Sequence, residues 1–406
     1  MDRSLLETFK VIFTSEYWLL GSLMGAFFSF FALNRGGVVV FIEIGACFVV
    51  INLLLGEYRP REIPFSYWAT LGILFYLLVA SFLFSNQQFR TKYVIYILRA
   101  IFVLFTIHCL SQKQIDLRVY KLLPILWCFS VGWQFAAVKF FKMPFGTYSN
   151  PHYLANFMIS ILPLIVFSFW SADSWYKWVF VIFALMDVYL LLKSGSRPAI
   201  FGLTFSSITV IFFFIKSRLK WIGLLAVVFV LGIIYVTNYG GVANHLHDLL
   251  SSLKTEERIS LWKIALQMLE NNSITNWIFG NGIGSYSAIY PDYSGPQFKR
   301  YFFPHFHPFG ILYENGIIGF FMVFGGFTVA FVMTLRALNK SAGKNISLLL
   351  KCMLVIFMCW MIHSSLTVPF YSKYAQYPLG FILGTMLVLI NQSNLPTINR
   401  TAPAGG

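Results

Sequence analysis

Ser66-Tyr-Trp-Ala-Thr-Leu-Gly-Ile-Leu-Phe-Tyr-Leu-Leu-Val-Ala-Ser-Phe-Leu-Phe84 runs without a single charged residue. A helix of about this length crosses a bilayer's hydrocarbon layer of roughly 30 Å. The run is continuous rather than alternating, so it is not a barrel strand, and lipid leaves the helix as the other spanning form. Working outward, we read runs of the same kind at 17–33, 37–55, 66–84, 93–110, 120–141, 153–170, 175–192, 198–215, 221–237, 307–335, 348–367 and 375–392. The chain is 58% hydrophobic and only 11% charged, against about a quarter charged in a soluble domain. A water-soluble fold could not hide that much apolar surface. The expected fold is therefore an all-α polytopic membrane protein of about twelve transmembrane helices.

Twelve spans return both termini to one side of the membrane. No cleavable signal peptide is expected, because residues 1–16 are mixed polar and the first apolar run lacks a small-residue cleavage site. With the N-terminus cytoplasmic, the inner loops collect Arg59 and Arg61, Lys113 with Arg118 and Lys121, Lys216 with Arg218 and Lys220, and Arg336 with Lys340 and Lys344. That excess obeys the positive-inside rule and accounts for much of the net charge of +15. No soluble basic stretch carries interleaved stacking aromatics, which excludes a nucleic-acid partner. Cys47, Cys109, Cys128, Cys352 and Cys359 fall inside spans at neither metal-like nor paired spacing, and read as small core residues.

Four regions follow: helices 1–9 over 1–237, a periplasmic loop over 238–306, helices 10–12 over 307–392, and a disordered tail over 393–406. A loop of that length inside a compact protein is either functional or disordered. Order is favoured by Glu257-Arg-Ile-Ser-Leu-Trp-Lys-Ile-Ala-Leu-Gln-Met-Leu-Glu270, where Ile259, Trp262, Ala265 with Leu266, and Leu269 recur at helical spacing. This helix should lie on the membrane surface or cap the bundle. Next comes Trp277-Ile-Phe-Gly-Asn-Gly-Ile-Gly-Ser-Tyr, a glycine-rich turn that either cradles a phosphate or simply connects elements. It contains no Gly-Lys-Ser/Thr and follows no strand, so it is neither an ATP nor a dinucleotide site.

Three groups of residues could carry chemistry. Lys193-Ser-Gly-Ser-Arg-Pro joins the seventh and eighth spans on the outer side, where cations have no anchoring reason to be. Lys193, Ser196 and Arg197 lie just before a helix N-terminus, a setting that suits a phosphate or pyrophosphate; an arginine snorkelling to headgroups is the alternative. His305-Phe-His307 then opens the tenth span, and Glu314 lies inside that apolar helix. A membrane-edge histidine can act as general base, and an intramembrane carboxylate is costly unless functional or paired. A structural role for both histidines is equally open, and a zinc site is disfavoured because there is neither His-Glu-x-x-His nor a third nearby ligand. The third group is Arg258 in the loop helix, Lys299 and Arg300, Arg90 and Lys92, and Gly146-Thr-Tyr-Ser-Asn150-Pro-His152-Tyr153. Arg258 either reaches a phosphate or pairs with Glu256 and Glu257.

Taken in order, these segments resemble the O-antigen ligase and O-antigen polymerase superfamily. The likeness rests on Gly146-Thr-Tyr-Ser-Asn-Pro-His-Tyr-Leu-Ala, Ser194-Gly-Ser-Arg197-Pro-Ala, Arg258-Ile-Ser-Leu-Trp-Lys-Ile-Ala-Leu with Phe279-Gly-Asn-Gly-Ile-Gly, and His305 followed by ten residues and Gly316. It covers roughly residues 140–335. Two positions depart from the family pattern: Phe201 stands where the ligases carry leucine, and Phe306 replaces the asparagine that follows the family histidine.

The resemblance implies a GT-C-like glycosyltransferase of the bacterial inner membrane, with its site on the periplasmic face and no cofactor. The donor would be an undecaprenyl-diphosphate-linked glycan, and the acceptor lipid A-core or a lipid-linked glycan. It assigns diphosphate binding to Arg197 and Arg258, and the role of general base to His305. Lys193, Ser196, Arg300 and His307 join the expected substrate contacts. The residues themselves suggest that Glu314 orients His305 or stabilises its protonated form, a role the resemblance does not supply. Ligase is favoured over polymerase by the spacing from His305 to Gly316. A transporter or flippase for lipid-linked sugars is the reading from another class. Against it stand the few ionisable residues in spans, chiefly Glu43, Arg99, Asp187 and Glu314, and the long ordered outer loop.

Overall fold

The computed structural model describes residues 37–54, 65–84, 91–112, 122–148, 150–171, 177–214, 257–296, 303–340, 344–368 and 370–394, with scattered helical positions within 21–25 and 221–236. In chain order the elements are α1 (Gly37–Leu54), α2 (Phe65–Phe84), α3 (Thr91–Gln112), α4 (Leu122–Lys139), the short extended β1 (Pro144–Thr147), α5 (Pro151–Ser171), α6 (Lys177–Ser194) and α7 (Arg197–Phe214). Three loop helices follow, α8 (Glu257–Glu270), α9 (Ile274–Phe279) and α10 (Ser285–Tyr293), and then α11 (His307–Lys340), α12 (Lys344–Thr367) and α13 (Lys373–Asn394). The helices expected at 37–55, 66–84, 93–110, 120–141, 153–170, 175–192, 198–215, 307–335, 348–367 and 375–392 all form, with ends shifted by a few residues. Among the described residues, four stretches are long and apolar enough to cross a membrane: Pro151–Ser171, His307–Lys340, Ile346–Thr367 and Tyr374–Asn391. The spans expected at 17–33 and 221–237 fall mostly outside the described residues, and α13 runs two residues into the expected tail.

The bundle is organised around α5 and α12. Phe157, Met158, Ile159 and Ile161 of α5 and Trp360 of α12 are completely buried, and α12 also packs against α7 and α13. Lipid offers apolar side chains as much as a neighbouring helix does, so close backbone approach has to supply the association. Gly380 and Gly384, one turn apart on α13, provide it against α3. A Cβ at Gly380 would lie 2.6 Å from the Ala100 carbonyl oxygen, and one at Gly384 would lie 3.3 Å from the Leu104 Cα. Arg99 and Glu43, both within spans, meet at 2.7 Å between α3 and α1, so each charge answers the other.

The loop helix α8 forms over the expected residues, and Ala265 and Leu269 are buried as expected, but the buried face is rotated by about one residue. Leu261, Ile264, Ala265, Met268 and Leu269 pack on Tyr286, Tyr290 and Tyr313, whereas Leu266, expected inside, is exposed. Two apolar stripes about one residue apart compete on this helix. The one facing the tyrosines of α10 and α11 wins because it finds a partner there, leaving Trp262 at the edge.

Two glycines fix how the loop meets the bundle. α11 is broken at Gly316, where φ is 64° and ψ −172°, and Gly280 of the glycine-rich turn has φ 86°. A Cβ at Gly280 would fall 2.3 Å from the Glu314 carbonyl oxygen, and one at Gly316 would fall 2.3 Å from that of Ile278. The turn therefore lies backbone against backbone across the break. Its amides are committed there: Asn281 N donates to the Tyr313 carbonyl at 3.0 Å and Gly282 N to the Glu314 carbonyl at 2.8 Å, while Ile283 N donates to Ser81 Oγ of α2 at 3.0 Å. Of the two readings open for this motif, the structure supports the connecting one, since those donors already have acceptors.

Gly280→Ala and Gly316→Ala are each expected to lower stability by about 3 kcal/mol, through strain and a backbone clash together. Gly195 has φ 63° but open space around its Cα, so Gly195→Ala should cost only about 1 kcal/mol. Thermal unfolding of the three variants in detergent checks the order.

Candidate active site

His305 sits in the loop leading into α11 and adopts φ 50°, a left-handed conformation unusual for a side chain with Cβ. Its neighbours hold it there. The ring stacks on Phe303 at 4.0 Å, and Nδ1 lies 3.2 Å from the Leu366 carbonyl oxygen at the end of α12. A carbonyl can only accept, so Nδ1 carries the proton in this contact. His307 repeats the contact two residues on, its Nε2 donating to the Val368 carbonyl, with its ring against Phe370 at 5.3 Å. The His-x-His pattern thus matches alternate carbonyls of the α12–α13 turn. Phe306 packs against Trp262 of α8 at 5.6 Å, so this departure from the family pattern serves to clasp the loop helix onto the histidine loop.

That clasp brings Arg258 into the same region. It lies in the first turn of α8, four residues before Trp262 and therefore on the same side of the helix, half-buried and within electrostatic reach of the His152 ring. His152 begins α5, where Asn150 Oδ1 accepts its amide at 2.8 Å and Pro151 fills the first helical position. Its Nδ1 lies 3.1 Å from Ser196 Oγ, which in turn lies 3.2 Å from His363 Nε2. The Thr367 hydroxyl gives its proton to the His363 carbonyl at 2.6 Å, so the 3.3 Å contact with His363 Nε2 makes that nitrogen the donor. A polar chain therefore runs from half-buried His152 through buried Ser196 and His363 to Thr367, next to the Leu366 carbonyl that holds His305.

Ser196 is completely buried as the bridge between two imidazoles, so it supports the start of α7 from beneath. Arg197, the next residue, is exposed at the first position of α7, and Lys193 is exposed in the last turn of α6. Arg300 lies outside the described residues, as do Arg90 and Lys299, while Lys92 is exposed over the Tyr93 ring at 5.0 Å. Glu314 is buried, and its Oε1 accepts the Tyr286 amide at 3.2 Å at the start of α10. Tyr371 donates to Asn315 Oδ1. Burial, reinforced by the nearby Glu314 carboxylate, holds the Tyr286 and Tyr371 hydroxyls well above their usual pKa, so both stay protonated. Sequence reasoning passed over His363, Tyr286 and Tyr371. An ionisable residue inside an apolar span was the one available signal, for His363.

The fold and site define a helical membrane protein in which the His305 imidazole is tied to the end of α12, and half-buried His152 and buried His363 are bridged by Ser196 at the start of α7. Residues 179–324 match the family model described as O-antigen ligase. Over that segment, about a third of the chain, the sequence is similar to the O-antigen ligase family, which supports a ligase- or polymerase-type membrane glycan enzyme. The match takes in Lys193, Arg197, Arg258, His305, Glu314 and Gly316, and stops short of α12 and α13. No curated protein matches the chain.

Removing the bridge tests the buried chain. Ser196→Ala should lower stability by about 1–3 kcal/mol, because it strips buried His363 and half-buried His152 of a shared partner. Lys193→Ala, on the surface nearby, should leave the unfolding midpoint in detergent unchanged.

Proposed function

We propose that the protein transfers a glycan from undecaprenyl diphosphate to a hydroxyl of lipid A-core, as a twelve-helix, GT-C-like O-antigen ligase of the bacterial inner membrane with its site on the periplasmic face. The observation that carries this reading is the His305 ring, tied through Nδ1 to the Leu366 carbonyl on the same end of the bundle as Arg258 and the start of α7.

In this mechanism His305 Nε2 takes the proton from the acceptor hydroxyl, and the oxygen attacks the anomeric carbon. The bond from that carbon to the diphosphate oxygen breaks, and the negative charge arriving on the leaving group is met by Arg197 and Arg258, joined by Lys193 and Arg300. A direct displacement inverts the anomeric configuration. His305 ends the step protonated, with Nδ1 still bonded to its carbonyl. Ser196 and His307 act at one remove, the first by holding the start of α7 and the second by fixing the α12–α13 turn under the histidine loop.

His305→Ala and Arg197→Ala should each reduce transfer by about 100-fold or more while expression and membrane insertion stay normal. Comparable activity in either variant removes that residue from the mechanism. Deleting the gene should abolish all attached O-antigen. Core that still carries a single repeat would identify a polymerase instead, and purified protein that forms no new glycosidic bond from lipid-linked glycan and acceptor would point to transport.

A further inference from the structure

A cavity of about 40 Å³ adjoins the His305 loop, bounded by α10, the start of α11 and the α12–α13 turn, with Tyr93, Tyr286, Phe303, Glu314, Phe370 and Tyr371 in its walls. It has room for about three water-sized groups. Aromatic faces surround a carboxylate and three tyrosines, a combination suited to a neutral polyhydroxyl group and repellent to a phosphate. Among the described residues, its walls include no lysine or arginine.

Tyr286 supplies the decisive detail. It is 2% exposed, and its hydroxyl has no hydrogen-bond partner. The ring cannot swing away to find one, because it stacks on Tyr290 at 5.7 Å and meets Tyr313 edge-on at 5.7 Å. An unpaired buried hydroxyl is destabilising, a cost that a phenylalanine would avoid. Glu314 is also held in place, by the Tyr286 amide. Phe303 connects this cavity to the proposed chemistry, since the same residue lines the cavity and stacks on His305 at 4.0 Å.

An in-line displacement puts nucleophile and leaving group on opposite faces of the anomeric carbon. The cationic residues mark the diphosphate side, which leaves the carboxylate-and-tyrosine cavity for the incoming sugar. We infer that this cavity takes the edge of the acceptor saccharide, a hydroxymethyl group or vicinal diol, with the Tyr286 hydroxyl donating to it and Glu314 accepting from it. The inference rests on the transferase reading above, and it adds the place where the acceptor is recognised.

Tyr286→Phe is the test, because it deletes a hydroxyl that bonds to nothing in the protein and so leaves the fold intact. Steady-state transfer would be measured with full-length protein in detergent, an undecaprenyl-diphosphate-linked glycan as donor and purified lipid A-core as acceptor. The expected result is an acceptor KM raised about tenfold, with donor KM and kcat each within about twofold and no loss of thermal stability. An unchanged acceptor KM, or a rise in donor KM instead, overturns the inference while wild-type transfer still upholds the ligase reading. If the wild-type protein transfers nothing to lipid A-core, both fall together.

Discussion

The contact of Gly280 with the break at Gly316 is the constraint on which the loop end of the bundle depends. An uninterrupted helix would offer no free carbonyls at Tyr313 and Glu314, since the next turn would use them. Breaking α11 at Gly316 releases those carbonyls, and the glycine-rich turn supplies Asn281 and Gly282 amides to meet them. Asn281 Nδ2 adds a further bond to the Tyr313 carbonyl at 3.0 Å. Every loop element then takes its position from that junction: α9 leads into it, α10 leaves it with its first turn on Glu314, and α8 lies across the tyrosines that α10 and α11 present. The spacing from His305 to Gly316 thereby gains a structural cause. It sets the distance between the histidine loop and the break in the helix, so it reports on this fold before it reports on ligase or polymerase chemistry.

The site itself is assembled on the end of α12. Leu366 and Val368 give their carbonyls to His305 and His307, and His363 with Thr367 anchors the chain that reaches Ser196 and His152. One short stretch thus connects His305, the Ser196 support at the start of α7 and, through His152, the surroundings of Arg258. A left-handed residue such as His305 costs roughly 1–3 kcal/mol and persists only where its surroundings over-determine it. Stacking on Phe303 and the bond to Leu366 do so here. The strain serves to aim one nitrogen.

Much of the architecture was legible in the residues. Apolar run length gave the helices within a few positions, because in lipid each span must satisfy its own backbone and so leaves a continuous signature. The loop helix over 257–270 was equally plain from its periodicity. Its buried face was not, because Leu266 and Leu261 offer similar apolar stripes and the choice belonged to Tyr286 and Tyr313, far away in the chain. The glycine-rich turn was ambiguous for a related reason: nothing local reveals whether bare amides await a phosphate or the carbonyls of a broken helix.

By itself the sequence determined that this is a helical membrane protein and, among the described residues, placed its helices to within a few positions, since both follow from local composition and spacing. Only the tertiary structure decided which side chains come together. It set His363 beneath Arg197, clasped Arg258 to the His305 loop through Trp262 and Phe306, and moved Glu314 into a tyrosine-lined cavity. Those relations depend on which helix faces touch, and that is settled by contacts between residues as much as two hundred or more positions apart, such as Ser81 and Ile283.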